Sequence, residues 1–252
     1  LDDEATAISM RPLPRDIKFY FDPSTRFMRG LDSEGNWRTP FNPRASNHRN
    51  DDYCEGTAWQ WTWFVPHDVD GLVELMGGRD AFIGKLDSLF TADSKLEGES
   101  TSVDISGLIG QYAHGNEPSH HIAHLYNYVG QPWRTQEIVD EVLHTLYFNN
   151  PDGLSGNEDC GQMSAWYILN AMGFYQVCPG KPVYSIGRPL FNEATVHLKD
   201  GKSFKVIAHN NSRDNKYVQS IVLNGNKLET PFFTHQDIVD GGTLELTMAV
   251  NR

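Results

Sequence analysis

Between Glu55 and Lys181 the apolar residues recur at helical spacing, and beyond Pro182 they alternate. The first stretch predicts a succession of helices. "EGTAWQWTWF" reads as one, and "VDGLVELMGG" as a short second with a Gly-Gly stop. "RDAFIGKLDSLF" places Phe82, Leu86, Leu89 and Phe90 on one face, at the i, i+4, i+7, i+8 spacing of an amphipathic helix. "PSHHIAHLYNYVG" begins with Pro and ends with Gly, the usual asymmetry of helix ends. In "TQEIVDEVLHTLYF", Thr135 is the expected N-cap, with Ile138, Val142 and Leu146 four residues apart. "QMSAWYILNAMGFY" closes the set. The short connections favour antiparallel helical hairpins.

The alternating part predicts strands. "ATVHLKDGKSFKVIAHN" turns at Asp-Gly, "YVQSIVLNGNKLET" turns at Asn-Gly, and "GTLELTMAV" is a last strand. Residues 1–50 are rich in turn signals, yet hold Phe19, Phe21, Phe27, Met28, Trp37 and Phe41. That many large apolar groups implies an ordered, loop-rich segment packed on a core. The expectation is a mainly α chain: a helical part over residues 1–181 and a small C-terminal antiparallel β module over 182–252.

Composition narrows the function. The chain has 252 residues and a formal net charge of −12, with no basic stripe to neutralise phosphates, so a nucleic-acid partner is disfavoured. No apolar run approaches the roughly 20 residues that span a bilayer. The chain opens "LDDEATAISM", without an initiator Met, as a piece of a longer protein would. Three Cys (Cys54, Cys160, Cys178) offer no disulfide framework and no C-x-x-C pair. Aromatics make up 12%, six of them Trp. Flat rings suit the C–H faces of sugars, although Trp is as readily a core residue.

Three polar clusters could carry chemistry. In "YCEGTAWQWTWFVPHD", Glu55 stands at a helix start, with Trp59 one turn on and His67-Asp68 behind. An acid beside aromatic surface loses solvation, which favours its protonated form and suits a general acid. In "HGNEPSHHIAH", the oxygen donors Asn116 and Glu117 precede a Pro-initiated helix and suit a hard cation such as calcium. His120 and His124 share a helix face, but no H-E-x-x-H or third ligand accompanies them, which argues against zinc. In "GNEDCGQMSAW", Asn157, Glu158 and Asp159 crowd the mouth of a helix, either as a cap or as a polar binding site. Asp159, held by neighbouring amides, would stay ionised and could serve as a base. Cys160 reads as a small packed residue. A nucleophile elbow, a P-loop and a dinucleotide fingerprint are all missing.

Three stretches, "YCEGTAWQWTWFVPHDVDGLVELMGG", "GNEPSHHIAHLYNYVGQPW" and "GLSGNEDCGQMSAWYILNAMGFYQVCPG", together resemble the C-terminal portion of glycoside hydrolase family 92. The resemblance runs from "FDPSTRFMRG" to "HQDIVDGGTLEL". It implies part of an (α/α)6 toroid, corresponding to the last third or so of an enzyme that also has an N-terminal β-sandwich and earlier toroid helices as this chain's partners. It further implies an inverting, calcium-dependent exo-α-mannosidase acting on mannose-containing glycans, N-glycans among them, outside the cytoplasm: periplasmic, cell-surface or secreted. On that resemblance Glu55 is the general acid and Asp159 the general base. Asn157 assists Asp159, and Asn116 and Glu117 lie at the calcium. Trp59, His67, Asp68 and Glu158 form the wall that receives the sugar. Inversion requires the two carboxyl groups roughly 6.5–9.5 Å apart, with room for a water. The other readings are a non-catalytic carbohydrate-binding or structural fragment, and a different (α/α)-toroid glycan hydrolase.

Overall fold

The computed structural model describes residues 17–48 and 50–252; residues 1–16, counted above in the first domain, and Arg49 lie outside the described residues. Chain contacts divide the protein into a unit ending at Ser119 and a unit His120–Arg252. The change from helices to strands near residue 182 falls inside the second unit.

The helices of the first unit are mostly short. Ala58–Trp61 is a single turn, where the pattern predicts a helix running from Glu55. Thr57 starts it: its hydroxyl accepts from the Trp59 N–H, while the Gln60 side-chain oxygen accepts from the Thr57 N–H at 2.7 Å. Pro66 denies helical backbone to the residue before it, and the chain turns away over Trp63–Val65. Trp63 packs edge-on against Phe82, centroids 5.4 Å apart. Asp68 caps the next helix, Val69–Leu75, by accepting from the Gly71 N–H at 3.1 Å. Gly77 and Gly78, at φ 95° and 97°, reverse the chain into the helix Arg79–Thr91. That helix buries Phe82, Leu86, Leu89 and Phe90, the face the spacing predicts.

The loop-rich opening is ordered, as its aromatics imply. Strands Phe21–Asp22 and Phe27–Met28 pair antiparallel. Asp22 and Arg29 form a buried ion pair at 2.6 Å. Burial of the Asp22 carboxyl opposes its ionisation, but hydrogen bonds from Ser24, Arg29 and Thr25 outweigh it and hold the carboxyl well below the usual carboxylate range. The Arg29 guanidinium also lies over the Phe41 ring at 4.2 Å.

In the second unit the long helix Pro132–Thr145 begins at its proline, three residues before the expected cap. Thr135 is therefore buried inside the first turns and is not an N-cap. The helix Gln162–Met172 ends at Gly173, left-handed at φ 105°. The strands form two sheets. Phe174–Tyr175, Val183–Ile186 and Phe232–Thr234 make an antiparallel three-stranded sheet with Val183–Ile186 in the middle. Five more strands lie in the order 226–227, 217–223, 242–249, 203–209, 193–197. Both expected hairpins are present, and their turns, Asp200-Gly201 and Asn224-Gly225, are left-handed throughout. The module departs from pure antiparallel pairing at one place. Gly242–Ala249 inserts between the two hairpins and runs parallel to Ser203–His209, with Phe204 opposite Gly242. Alternation reports which face of a strand is buried, and says nothing of its neighbour's direction. Phe204, Val206, Leu244, Leu246 and Met248 fill the core under this sheet with Phe174, Ile186 and Phe233.

Two polar networks tie the helices of this unit to its strands and the loops beside them. Asp140, on Pro132–Thr145, faces Arg188 Nε at 3.0 Å, Arg213 Nη1 at 3.3 Å and His144 Nδ1 at 3.2 Å. His124 is fully buried between Ser185 Oγ, 3.0 Å from Nδ1, and Asn170 Oδ1, 2.9 Å from Nε2. The Asn170 oxygen can only accept, so His124 Nε2 carries the hydrogen and Nδ1 accepts from the Ser185 hydroxyl. Burial, with His121 nearby and against the Asn170 bond, pushes the His124 pKa down to about 4, so the ring is neutral.

Candidate active site

The two carboxylates singled out by the sequence share a rare backbone state. Glu55 has φ 53°, and Asp159 has φ 51°. Asp159 is followed by Cys160 at 57° and Gly161 at 95°, three left-handed residues in a row before the helix Gln162–Met172. A side chain bearing Cβ pays about 1–2 kcal/mol for this conformation. Of the other non-glycine cases, Asp200, Asn210 and Asn224 are, like Asp159, residue types that turns tolerate, whereas Arg26, at φ 56°, is not. Glu55 and Cys160 are not such types either, and strain of this kind is frequent at functional sites.

In the first unit, the structure joins two of the three sequence clusters. Asn116 Nδ2 donates to the Glu55 carbonyl oxygen at 2.9 Å, and its Oδ1 accepts from the Glu117 N–H at 3.1 Å. Asn116 is buried and opens a 3-10 turn, Glu117–Ser119, so it pins the strained Glu55 peptide to the "GNEP" motif. Glu55 itself is exposed and precedes the helix, so the expected shared helix face with Trp59 does not exist. Trp59 instead meets Phe27 edge-on at 5.0 Å, and the Lys85 ammonium lies 4.5 Å from its ring and 3.3 Å from that of Phe27. Burial, and secondarily the charge of Arg26, lower the Lys85 pKa to about 8. His67 is exposed, and Asp68 serves as a helix cap.

The third cluster lies in the second unit. Asn157, Glu158, Asp159 and Cys160 are all exposed, so Cys160 is not a packed core residue; all three cysteines are free thiols. The carboxylate that neighbouring groups hold is Glu158, not Asp159. Glu158 accepts from the Ser164 N–H at 2.9 Å and from its hydroxyl at 2.7 Å, and these bonds hold its carboxyl below the usual range. The Asp159 carboxylate makes no hydrogen bond or ion pair among the described residues. Beside Glu158 a hollow of about 530 Å³ is walled by Tyr147, Phe148, Leu154, Tyr167 and Ile168.

Metal-binding potential rests on oxygen donors. Among the described residues no group of three or more His, Cys, Asp and Glu is placed to hold an ion. Asn116 Oδ1 retains a lone pair, and the Glu117 carboxylate has no hydrogen-bond or ion-pair partner among the described residues. Two adjacent hard donors of this kind fit calcium, whose shell also takes backbone carbonyls and water. The two ring nitrogens of His124, by contrast, are both occupied by hydrogen bonds.

Lys85 and Asn116's hold on Glu55 were the parts sequence reasoning missed. Lys85 left a trace, since it interrupts the apolar side of "RDAFIGKLDSLF" beside Phe82 and Leu86. The Asn116–Glu55 bond spans 61 residues and leaves no local pattern.

Comparison with known proteins identifies the family. The sequence model described as "Glycosyl hydrolase family 92 catalytic domain" matches residues 15–250. A structure of a family GH92 α-mannosidase from Bacteroides thetaiotaomicron in complex with mannoimidazole is 41% identical, with a TM-score of 0.88, over 98% of this chain and 34% of that one. A family GH92 inverting mannosidase from the same organism is 38% identical, with a TM-score of 0.84, over 98% of this chain and 34% of that one. An uncharacterized secreted glycosidase from Arthroderma benhamiae is 32% identical over 77% of this chain and 23% of its own length. The chain thus spans about a third of the solved relatives and under a quarter of the curated one. With the family model covering all but the ends of the sequence, the chain belongs to glycosyl hydrolase family 92.

Proposed function

We propose that this chain is part of an exo-acting enzyme that hydrolyses terminal α-mannosidic bonds with inversion, using Glu55 as general acid and Asp159 as general base. The observation that carries the reading is the left-handed backbone at both carboxylates, held at Glu55 by a buried amide. Glu55 and Asp159 are both exposed on loops that lead into a helix, where each carboxyl can reach a ligand. The family membership and the relatives named above support the substrate class.

In this mechanism Glu55 gives its proton to the departing glycosidic oxygen while Asp159 takes one from the water that attacks C1. Glu158, locked to Ser164, fixes the loop that carries Asp159. Asn157 stands beside the attacking water, and Trp59, His67 and Asp68 contribute to the sugar wall. Asn116 and Glu117 hold calcium, whose chemistry when bound is to orient sugar hydroxyls and stabilise charge as a Lewis acid. The helices of the chain form part of an (α/α)6 toroid, and the toroid's other helices and a β-sandwich complete the enzyme. The substrate class places it outside the cytoplasm, in line with the secreted relative, and no helix among the described residues is long and apolar enough to cross a membrane.

The test is cleavage of α-mannosides by the full-length protein with and without a chelator, following the anomer of the first product by NMR. The expected result is β-mannose first, with activity lost on chelation and restored by calcium. Binding without turnover would point to a non-catalytic carbohydrate module, and activity indifferent to chelation to another toroid hydrolase.

A further inference from the structure

A hollow of about 410 Å³ opens between the first turns of Pro132–Thr145 and the strand Tyr217–Leu223, and none of the candidate catalytic residues lines it. Its walls include Pro132, Trp133, Gln136, Tyr217, Gln219 and Arg252. The two-residue strand Asn226–Lys227 pairs only with Val222 and Leu223, so no strand covers this edge near Tyr217 among the described residues. The helix covers it instead: Gln136 Oε1 accepts from the Val218 N–H at 3.1 Å. Just beyond, the register with Gly242–Ala249 slips between Val218 and Ser220, and such a bulge re-aims the side chain of the extra residue, Gln219. Several polar groups are left over. Gln136 is only 3% exposed, yet its Nε2 amino group has no hydrogen-bond partner among the described residues. Neither has the Trp133 indole N–H, nor the Arg252 guanidinium, which lies 5.4 Å from the Trp133 ring. Gln219 donates to the Asn251 carbonyl at 2.9 Å and keeps its Oε1 unbonded among the described residues. The Tyr217 hydroxyl donates to Glu137 at 2.7 Å, which holds its ring in place.

We infer that this hollow is a second sugar site, which holds one hexopyranose of a glycan chain against Trp133 and Tyr217 and takes no part in bond cleavage. Aromatic rings offer the flat apolar surface that the C–H face of a sugar covers. Each sugar hydroxyl both donates and accepts, and the leftover groups are of both kinds: donors on Trp133, Gln136 and Arg252, and an acceptor on Gln219. The Gln136 amide is already fixed by its bond to Val218, and the Tyr217 ring by its bond to Glu137, so little side-chain freedom is lost when a ligand binds. The volume falls within the roughly 300–1,000 Å³ of ligand pockets. Arg252 by itself would suit an anion as well, but the chain's net charge of −12 repels one. The choice of a mannose-rich glycan as probe rests on the substrate class proposed above, whereas the site does not depend on the roles of Glu55 and Asp159.

The experiment is native electrophoresis of the full-length protein through gels of increasing yeast mannan content, with hydrolysis of 4-nitrophenyl α-mannoside measured alongside. The wild type should be retarded, and Trp133→Ala should weaken that retention about tenfold. Gln136→Glu keeps the acceptor for the Val218 N–H but removes the free donor, and Arg252→Ala removes an exposed cation; each should weaken retention about threefold or more. The aryl mannoside carries a single sugar and cannot occupy both sites at once, so its kcat/KM should stay within about twofold of the wild type in all three variants. Retention at the wild-type level in all three, or a wild type that mannan does not retard, overturns the inference. So does a fall in aryl-mannoside hydrolysis in step with retention in all three. A wild type that is retarded but hydrolyses nothing overturns the mannosidase reading instead, and the same retention comparison, with urea midpoints as the check on folding, still decides the second site.

Discussion

Replacing Asp140 by Asn tests how the second unit is held together. The Arg188 side chain is only 2% exposed and that of Asp140 10%, so their 3.0 Å approach is screened by little water. Arg188 also donates to the carbonyls of Pro189 and Ser212, at 2.7 and 3.0 Å, but carbonyl dipoles do not neutralise its charge. With Asn at 140 the guanidinium stays buried without a counter-ion, at a cost of about 3–5 kcal/mol. Arg213 reaches the same carboxylate at 3.3 Å, yet its side chain is 61% exposed, so Arg213→Ala should cost under about 1 kcal/mol. Urea unfolding, comparing midpoints at unchanged slope, separates the two. The double variant Asp140→Leu with Arg188→Met removes both charges and should lose less than Asp140→Asn alone, because no orphaned ion remains. Equal small losses for Asp140→Asn and Arg213→Ala, or a double variant worse than the single, would refute the burial argument.

Two further outcomes follow from the geometry. The His124 pKa falls from 6.5 to about 4 on folding, so the unfolded chain binds the extra proton across that window. Its contribution to stability is full above pH 6.5 and is lost as pH falls toward 4, by about 3 kcal/mol in all; His124→Gln should flatten that limb of a stability-against-pH curve, and an unchanged limb would contradict it. Glu117→Gln should weaken calcium binding about tenfold or more by removing the charged donor, read by calorimetry; unaltered affinity would remove Glu117 from the site.

Much of the fold was legible because periodicity reports burial. The apolar face of Arg79–Thr91 and both hairpins with their Asp-Gly and Asn-Gly turns followed from spacing alone. What spacing does not encode is a partner distant in sequence. The parallel pairing of Gly242–Ala249 with Ser203–His209, the Asn116 grip on Glu55 and the Lys85 contact with Trp59 all depend on such partners. Local competition misled in other places. Pro66 shortened the helix that begins at Ala58, and Pro132 moved a helix start ahead of Thr135. Around Asp159, the amides and acids visible in the sequence proved to be exposed, with Glu158 rather than Asp159 taking the hydrogen bonds.

The acid role of Glu55 is tested most directly by the leaving-group dependence of Glu55→Gln in the full-length protein. Fluoride departs with little help from an acid, whereas a sugar alkoxide does not depart without one. The variant should therefore retain most turnover of α-mannosyl fluoride and lose about two to four powers of ten on a mannobiose. Turnover of the mannobiose at the wild-type rate, or an equal loss on both substrates, would contradict the assignment.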